Sequence, residues 1–208
     1  MISIDLLIGR YPKLVGCRDS ILDAAALLEE TFRSGGTLYT CGNGGSAADA
    51  DHIVGDLAKG FLKKRPVPEE LKNALAAFPD GEDIAGHLQR GLPAVSLQSQ
   101  SALLTAYLND CDPALVYAQA LYALSKPGDA LLAISTSGNS KNVVNAAKLA
   151  KAAGVKVLAL TGEGESALSS LADCAIRVGE RETYRVQELH LPVYHWLCAT
   201  LEDIFFTE

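Results

Sequence analysis

His52 and Asp56 stand four residues apart in ADADHIVGDLA, a spacing that puts an imidazole and a carboxylate on one face of a helix. Far downstream, RVQELHLPVYH holds Gln187, Glu188, His190 and His195. Gln187 and His195 come out about 80° apart around a helix at ~100° per residue, so both can address one site. A histidine, a carboxylate, a glutamine and a second histidine form a set that ligates a divalent metal or moves protons as acid and base. The same residues have an ordinary alternative. A histidine on a mostly apolar helix is often a packed side chain with a satisfied nitrogen, and His with Asp at i, i+4 is a common helix-side hydrogen bond. His190, on another face from Gln187 and His195, and His87, in a separate helical stretch, are read that way.

Two short turns offer a second kind of chemistry. GNGGS (42–46) and STSGNS (135–140) are rich in small residues, and each precedes an alanine-rich helix. Glycines let a backbone approach a ligand closely, a helix N-terminus presents free N–H groups, and hydroxyls add donors, so both turns suit a phosphate or a carboxylate. Gly42, Gly44 and Gly45 do not have GxGxxG spacing, and GxxxxGK[ST] is absent, so neither a dinucleotide nor a nucleoside triphosphate is indicated. A small phosphorylated metabolite held by amides and hydroxyls fits better. Taken singly, each turn also reads as a plain tight turn with a helix cap.

The elements that must position these groups follow one rhythm. Apolar residues at three- and four-residue steps predict a helix over 12–33 that leaves through Ser34-Gly35-Gly36. TLYTC (37–41) reads as a strand, then the glycine turn, then a helix from Ser46 to about Lys59 with Asp49 and Asp51 in or near its first turn. PAVSL (93–97), DALLAIS (129–135), VKVLALTG (155–162) and CAIRVG (174–179) read as four more strands, NVVNAAKLAKAAG as the helix after STSGNS, and Tyr184 to Phe205 as the last helix. Alternating apolar strands and helices predict an α/β fold, a doubly wound, flavodoxin-like parallel five-stranded sheet flanked by helices. In such a sheet ligands sit beyond the carboxyl ends of the strands, where both turns fall.

At 208 residues the chain is expected to form one domain, 1–208, with an N-terminal helical segment 1–34 and a helical excursion over about 62–91. The excursion holds KKRPVPEE, EELKNALAAF and IAGHLQ, and reads either as a surface hairpin or as a lid or oligomer contact. A net charge of -7 leaves no basic stripe for a phosphate backbone, so nucleic acid is not an expected ligand. Five scattered cysteines with no CxxC pair fit reduced thiols rather than a disulfide framework or a zinc ribbon. MISIDLLIGRYPKLVG lacks a basic n-region with a long apolar run, and no stretch has the ~20 apolar residues of a membrane span, so a cytoplasmic location is expected.

GNGGSAADADH, ISTSGNSKNVVNAAKLAKAAGVKVLALTG and RVQELHLPVYH together resemble the sugar isomerase (SIS) domain family, in particular its phosphoheptose isomerases. The likeness covers most of the chain, with 62–91 longer than the family's usual connection. It implies aldose–ketose isomerisation of a phosphorylated sugar, sedoheptulose 7-phosphate to D-glycero-D-manno-heptose 7-phosphate, through an enediol. It implies that Asn43, Gly44, Gly45 and Ser46, with Asn109 and Asp110, line the sugar phosphate, and that Ser135, Thr136, Ser137 and Ser140 hold the phosphate group. It implies a zinc site of His52, Asp56, Gln187 and His195, with Asp56 and His195 carrying the proton transfers and Gln187 also near substrate. Glutamate is the family's residue where Asp56 stands, one methylene longer. A homotetramer with shared sites is implied too. The second reading is a catalytically silent SIS protein that binds a sugar phosphate or a partner protein.

Overall fold

The computed structural model describes residues 3–206. Its sheet has five parallel strands, β1 (Leu38–Cys41), β2 (Ala94–Ser96), β3 (Ala130–Ile134), β4 (Lys156–Thr161) and β5 (Cys174–Arg177), in the order β2-β1-β3-β4-β5. That is the doubly wound arrangement of the flavodoxin type. The strands are short and apolar because both faces are covered: every residue of β1 and of β3 is buried. The two-residue alternation divides them between two cores. Leu38, Leu132, Ile134, Leu158 and Leu160 point to one, and Tyr39, Cys41, Leu131, Ala133, Val157 and Ala159 to the other.

The first core is roofed by α1 (Ile4–Arg10), α2 (Arg18–Arg33), α3 (Gly45–Ala58) and the long C-terminal helix. The helix predicted over 12–33 starts later than expected. Pro12–Cys17 is a 3-10 turn, and Cys17, at φ -115 and ψ 15, breaks the helical path before α2. Ahead of it α1 is capped by the Ser3 hydroxyl, which accepts from the Asp5 amide, and it buries Ile4 and Leu7. Met1 and Ile2, the start of the expected helical segment, lie outside the described residues. The first turn of α3 holds no acid, since the helix begins at Gly45, which leaves Asp49 and Asp51 beyond it.

Between β1 and β2 the chain makes the expected excursion, with α4 (Glu69–Leu75) and α5 (Gly81–His87) packed on each other. Its two ends are joined: Pro66 bridges Gln89, and the Arg90 amide donates to the Arg65 carbonyl at 2.7 Å. Between β2 and β3 lie two helices that the sequence reading left unassigned, α6 (Ser101–Asp110) and α7 (Val116–Leu124). Helix α7 buries Val116, Tyr117, Ala120 and Leu121 in the second core beside α8 (Lys141–Ala152). A one-and-a-half-turn helix, α9 (Ala167–Leu171), precedes β5, and α10 (Thr183–Phe205) ends the described chain with Pro192 inside it.

One buried ion pair ties the excursion to α10. Arg65 and Glu202 are 0% and 1% exposed and meet at 2.8 Å. The Glu202 carboxylate also accepts from the amides of Phe61, Leu62 and Lys63, while the guanidinium donates to the carbonyls of Leu57 and Asp56 and stacks on Phe206. Each of the three guanidinium nitrogens and both carboxylate oxygens therefore has a partner, which favours burying such charges.

Candidate functional site

Helices α3 and α10 pack together, and their contact brings His52, Asp56 and His195 into one group whose ligating atoms all lie within 4.8 Å of one another. Asp56 Oδ2 is 3.7 Å from His52 Nε2 and 3.9 Å from His195 Nε2. Asp56 is 6% exposed, and its Oδ2 and His195 Nε2 are buried with no hydrogen-bond partner among the described residues. The imidazoles cross edge to face at 5.0 Å, and Phe61 lies against His195. Burial raises the Asp56 carboxyl above its ordinary range, with His52 and then His195 opposing, and burial lowers the His195 imidazole, with Asp56 opposing. Two converging imidazole nitrogens and a carboxylate oxygen without hydrogen-bond partners suit a divalent metal of the zinc type.

His52 Nδ1 is 3.0 Å from the Tyr194 hydroxyl, which in turn donates to Asp49 Oδ1 at 3.2 Å. Tyr194 is 1% exposed and packs edge-on against both imidazoles.

The two small-residue turns meet at the carboxyl edge of the sheet. Asn43 follows β1 and Asn142 lies in the first turn of α8, and their amides exchange two hydrogen bonds of 2.9 Å each. Tyr117 braces the pair from α7: its hydroxyl donates to the Gly42 carbonyl at 2.6 Å and lies 3.2 Å from Asn43 Oδ1. Gly44 has φ 57, in the left-handed region open to glycine. At Gly45 a Cβ would stand 2.5 Å from Gln187 Nε2, so a larger residue there would push that amide aside. Gln187 thus carries its amide from α10 onto the glycine turn, and Ser46 is buried in the first turn of α3.

In the second turn the Ser135 hydroxyl accepts from the Gly138 amide and pairs with the Ser140 hydroxyl at 3.1 Å. Ser137 accepts from the Asn139 amide, and Ser140 caps α8 through its backbone alone, so its hydroxyl is not spent on the helix end. Thr136 and Ser137 face a cavity whose wall continues through Gly162, Glu163 and Arg181. The cavity beside His195 is a different one, lined by Leu6, Tyr11, Phe61, Leu62 and Trp196. Asn109 and Asp110 lie exposed at the end of α6, bonded to each other at 2.7 Å, with no recorded bond to either turn or to the His52 group. His190 is a core residue, 0% exposed, and His87 is exposed on α5 and bonds within its own helix.

Sequence reasoning missed Tyr117, Asn142, Tyr194 and Arg65. Three sit inside helices and the fourth in a basic run, KKRP, and nothing local marks Tyr117, Asn142 or Arg65. For Tyr194 the signal was its place next to His195, where a hydroxyl interrupts the apolar stripe.

An open parallel sheet with two small-residue turns at its carboxyl edge, and a His–Asp–His group on the α3–α10 pair, has its polar groups in the region where open α/β sheets bind ligands. The SIS domain family matches residues 94–195, and a second SIS domain description matches residues 16–85. The phosphoheptose isomerase of Rhodospirillum rubrum is 35% identical over 193 residues, covering 93% of this chain and 90% of that protein. That of Mycobacterium tuberculosis is 39% identical over 206 residues, covering 94% and 93%. Among solved structures, a phosphoheptose isomerase from Francisella tularensis superposes with a TM-score of 0.74 at 27% identity, covering 98% of this chain and 100% of that one. One from Neisseria gonorrhoeae gives 0.72 at 28%, covering 96% and 91%. The chain belongs to the SIS domain family, in its phosphoheptose isomerase group.

Proposed function

We propose that this phosphosugar isomerase interconverts a ketose and an aldose phosphate, sedoheptulose 7-phosphate and D-glycero-D-manno-heptose 7-phosphate. The observation that carries the reading is the convergence of Asp56 Oδ2 and His195 Nε2, both buried without hydrogen-bond partners, on one point beside His52. A binding module has no use for such a group, whereas an isomerase needs a base for the proton next to the carbonyl and an acid for the oxygen. Asp56 takes the carbon-bound proton, leaving an enediol, and returns it to the neighbouring carbon. His195 passes the proton between the two oxygens or assists ring opening. The phosphate rests on Ser135, Thr136, Ser137 and Ser140, and the sugar lies along Asn43, Gly44, Gly45 and Ser46. His52, Asp56, Gln187 and His195 would hold a metal, zinc in this reading, which supplies Lewis-acid stabilisation of negative charge on the sugar oxygen.

Asn109 and Asp110 enter through assembly. Within one chain they stand apart from the turns, and in a homo-oligomer, a tetramer in this reading, they would serve a neighbouring site. The exposed apolar side chains Leu6, Val15 and Leu62 support such packing. Among the described residues no helix is long and apolar enough to cross a membrane, in keeping with the proposed cytoplasmic location. The test is incubation with Zn²⁺ and sedoheptulose 7-phosphate while aldose formation is followed. Turnover with bound metal is expected; neither turnover nor bound metal would sink the reading.

A further inference from the structure

We infer that Tyr194 and Asp49 are positioning residues for His52, a relay that fixes which imidazole nitrogen carries the proton and turns Nε2 toward Asp56. The inference rests on the proposed reading of His52 as a metal ligand only in what it says about affinity; the tautomer is a property of the chain alone.

The argument starts from donor counting. A tyrosine has one hydroxyl proton, and an ionised carboxylate only accepts. Tyr194 gives its proton to Asp49 Oδ1 at 3.2 Å. The contact between the same oxygen and His52 Nδ1, at 3.0 Å, then requires the ring nitrogen to donate. With the proton on Nδ1, the lone pair of a neutral imidazole lies on Nε2, the nitrogen 3.7 Å from Asp56 Oδ2. Metal-ligating histidines characteristically have their second nitrogen tied to an acceptor in this manner, and the tie sets ring orientation and basicity.

The packing leaves the relay little freedom. Tyr194 is 1% exposed, and its ring contacts His52 at 5.5 Å and His195 at 4.9 Å between centroids, both edge to face. One side chain therefore packs against both imidazoles. Asp49 and His52 are three residues apart on α3, while Tyr194 immediately precedes His195 on α10. The relay thus crosses the helix pair that builds the site.

The test uses the intact chain with isotopically labelled histidine. Imidazole ¹⁵N shifts in the metal-free protein should show His52 as the Nδ1–H tautomer, and Tyr194→Phe, which removes one oxygen, should move it toward Nε2–H. Affinity for Zn²⁺, read by competition with a chromophoric chelator, should fall about 10- to 100-fold in Tyr194→Phe. Co²⁺ absorption should report an altered ligand field. Asp49→Asn keeps the tyrosine and its packing and serves where Tyr194→Phe folds poorly; it should also loosen the tautomer preference. A wild-type chain with the proton on Nε2, or variants with wild-type tautomer and affinity, would overturn the inference. A wild-type chain that binds no metal but shows the Nδ1–H tautomer, lost in Tyr194→Phe, would overturn the metal reading while leaving the relay standing.

Discussion

Asn43 and Asn142, 99 residues apart in sequence, hold each other through two amide hydrogen bonds of 2.9 Å, which tie the glycine turn to the start of the helix that follows STSGNS. Either side chain removed takes both bonds with it. Asn43→Ala and Asn142→Ala should each raise KM for a sugar phosphate about 10-fold, from bonds worth ~1 kcal/mol apiece. The double variant should cost little more than either single one, a coupling that a double-mutant cycle on KM would measure.

Asp56 lies close to both imidazoles, and its reach decides what it can do. Asp56→Asn keeps the shape and removes the charge; isomerase activity should drop by at least ~10²-fold, with metal affinity falling in parallel. Asp56→Glu adds a methylene and shifts the carboxylate by about an ångström, which is enough to change kcat by ~10²-fold. Metal analysis beside steady-state kinetics separates the two variants, since the second should still bind metal.

The Arg65–Glu202 pair should be worth far more to stability than an exposed pair. Glu202→Gln strands a guanidinium that is 0% exposed and weakens the acceptor for the amides of Phe61, Leu62 and Lys63. A loss of about 3–5 kcal/mol is expected, read from the denaturant midpoint. A loss below ~1 kcal/mol would show that water reaches the pair.

His190 makes acid a specific threat to the fold. Burial lowers its imidazole from 6.5 to about 4, so the folded chain keeps it neutral where the unfolded chain already takes up a proton. The group leaves stability unchanged above pH 6.5 and lowers it as pH falls toward 4, by roughly 3 kcal/mol in full. Denaturation profiles should therefore slope between pH 6.5 and 5, before most carboxylates titrate, and His190→Leu should flatten that slope.

Much of the fold was legible because its signal is local. Continuous apolar runs such as DALLAIS mark strands covered on both faces, and Gly35, at φ 75, marks the exit of α2. The Pro12–Cys17 turn escaped notice because its apolar spacing continues that of α2 while the backbone does not. The same limit governed the site. His52 and Asp56 announce themselves by an i, i+4 step, whereas Asn142, Tyr117 and Arg65 draw their roles from partners 99, 75 and 137 residues away. Asn109 and Asp110 were placed with the turns by resemblance alone, and within one chain nothing bonds them there.

The site's contacts also bear on the order in which the molecule can assemble. His52 meets Tyr194 across 142 residues, and the turns at β1 and β3 meet only after the whole β2, α6 and α7 crossover has been laid down. Such nonlocal closures come late, because loop entropy must be overcome before they yield any contact. A partly folded chain with β3, β4 and β5 already paired would hold neither the His52 group nor the joined turns. Such a chain would offer the STSGNS turn alone, so a ligand that needs both turns and the His52 group would stabilise the complete molecule against global unfolding rather than any piece of it.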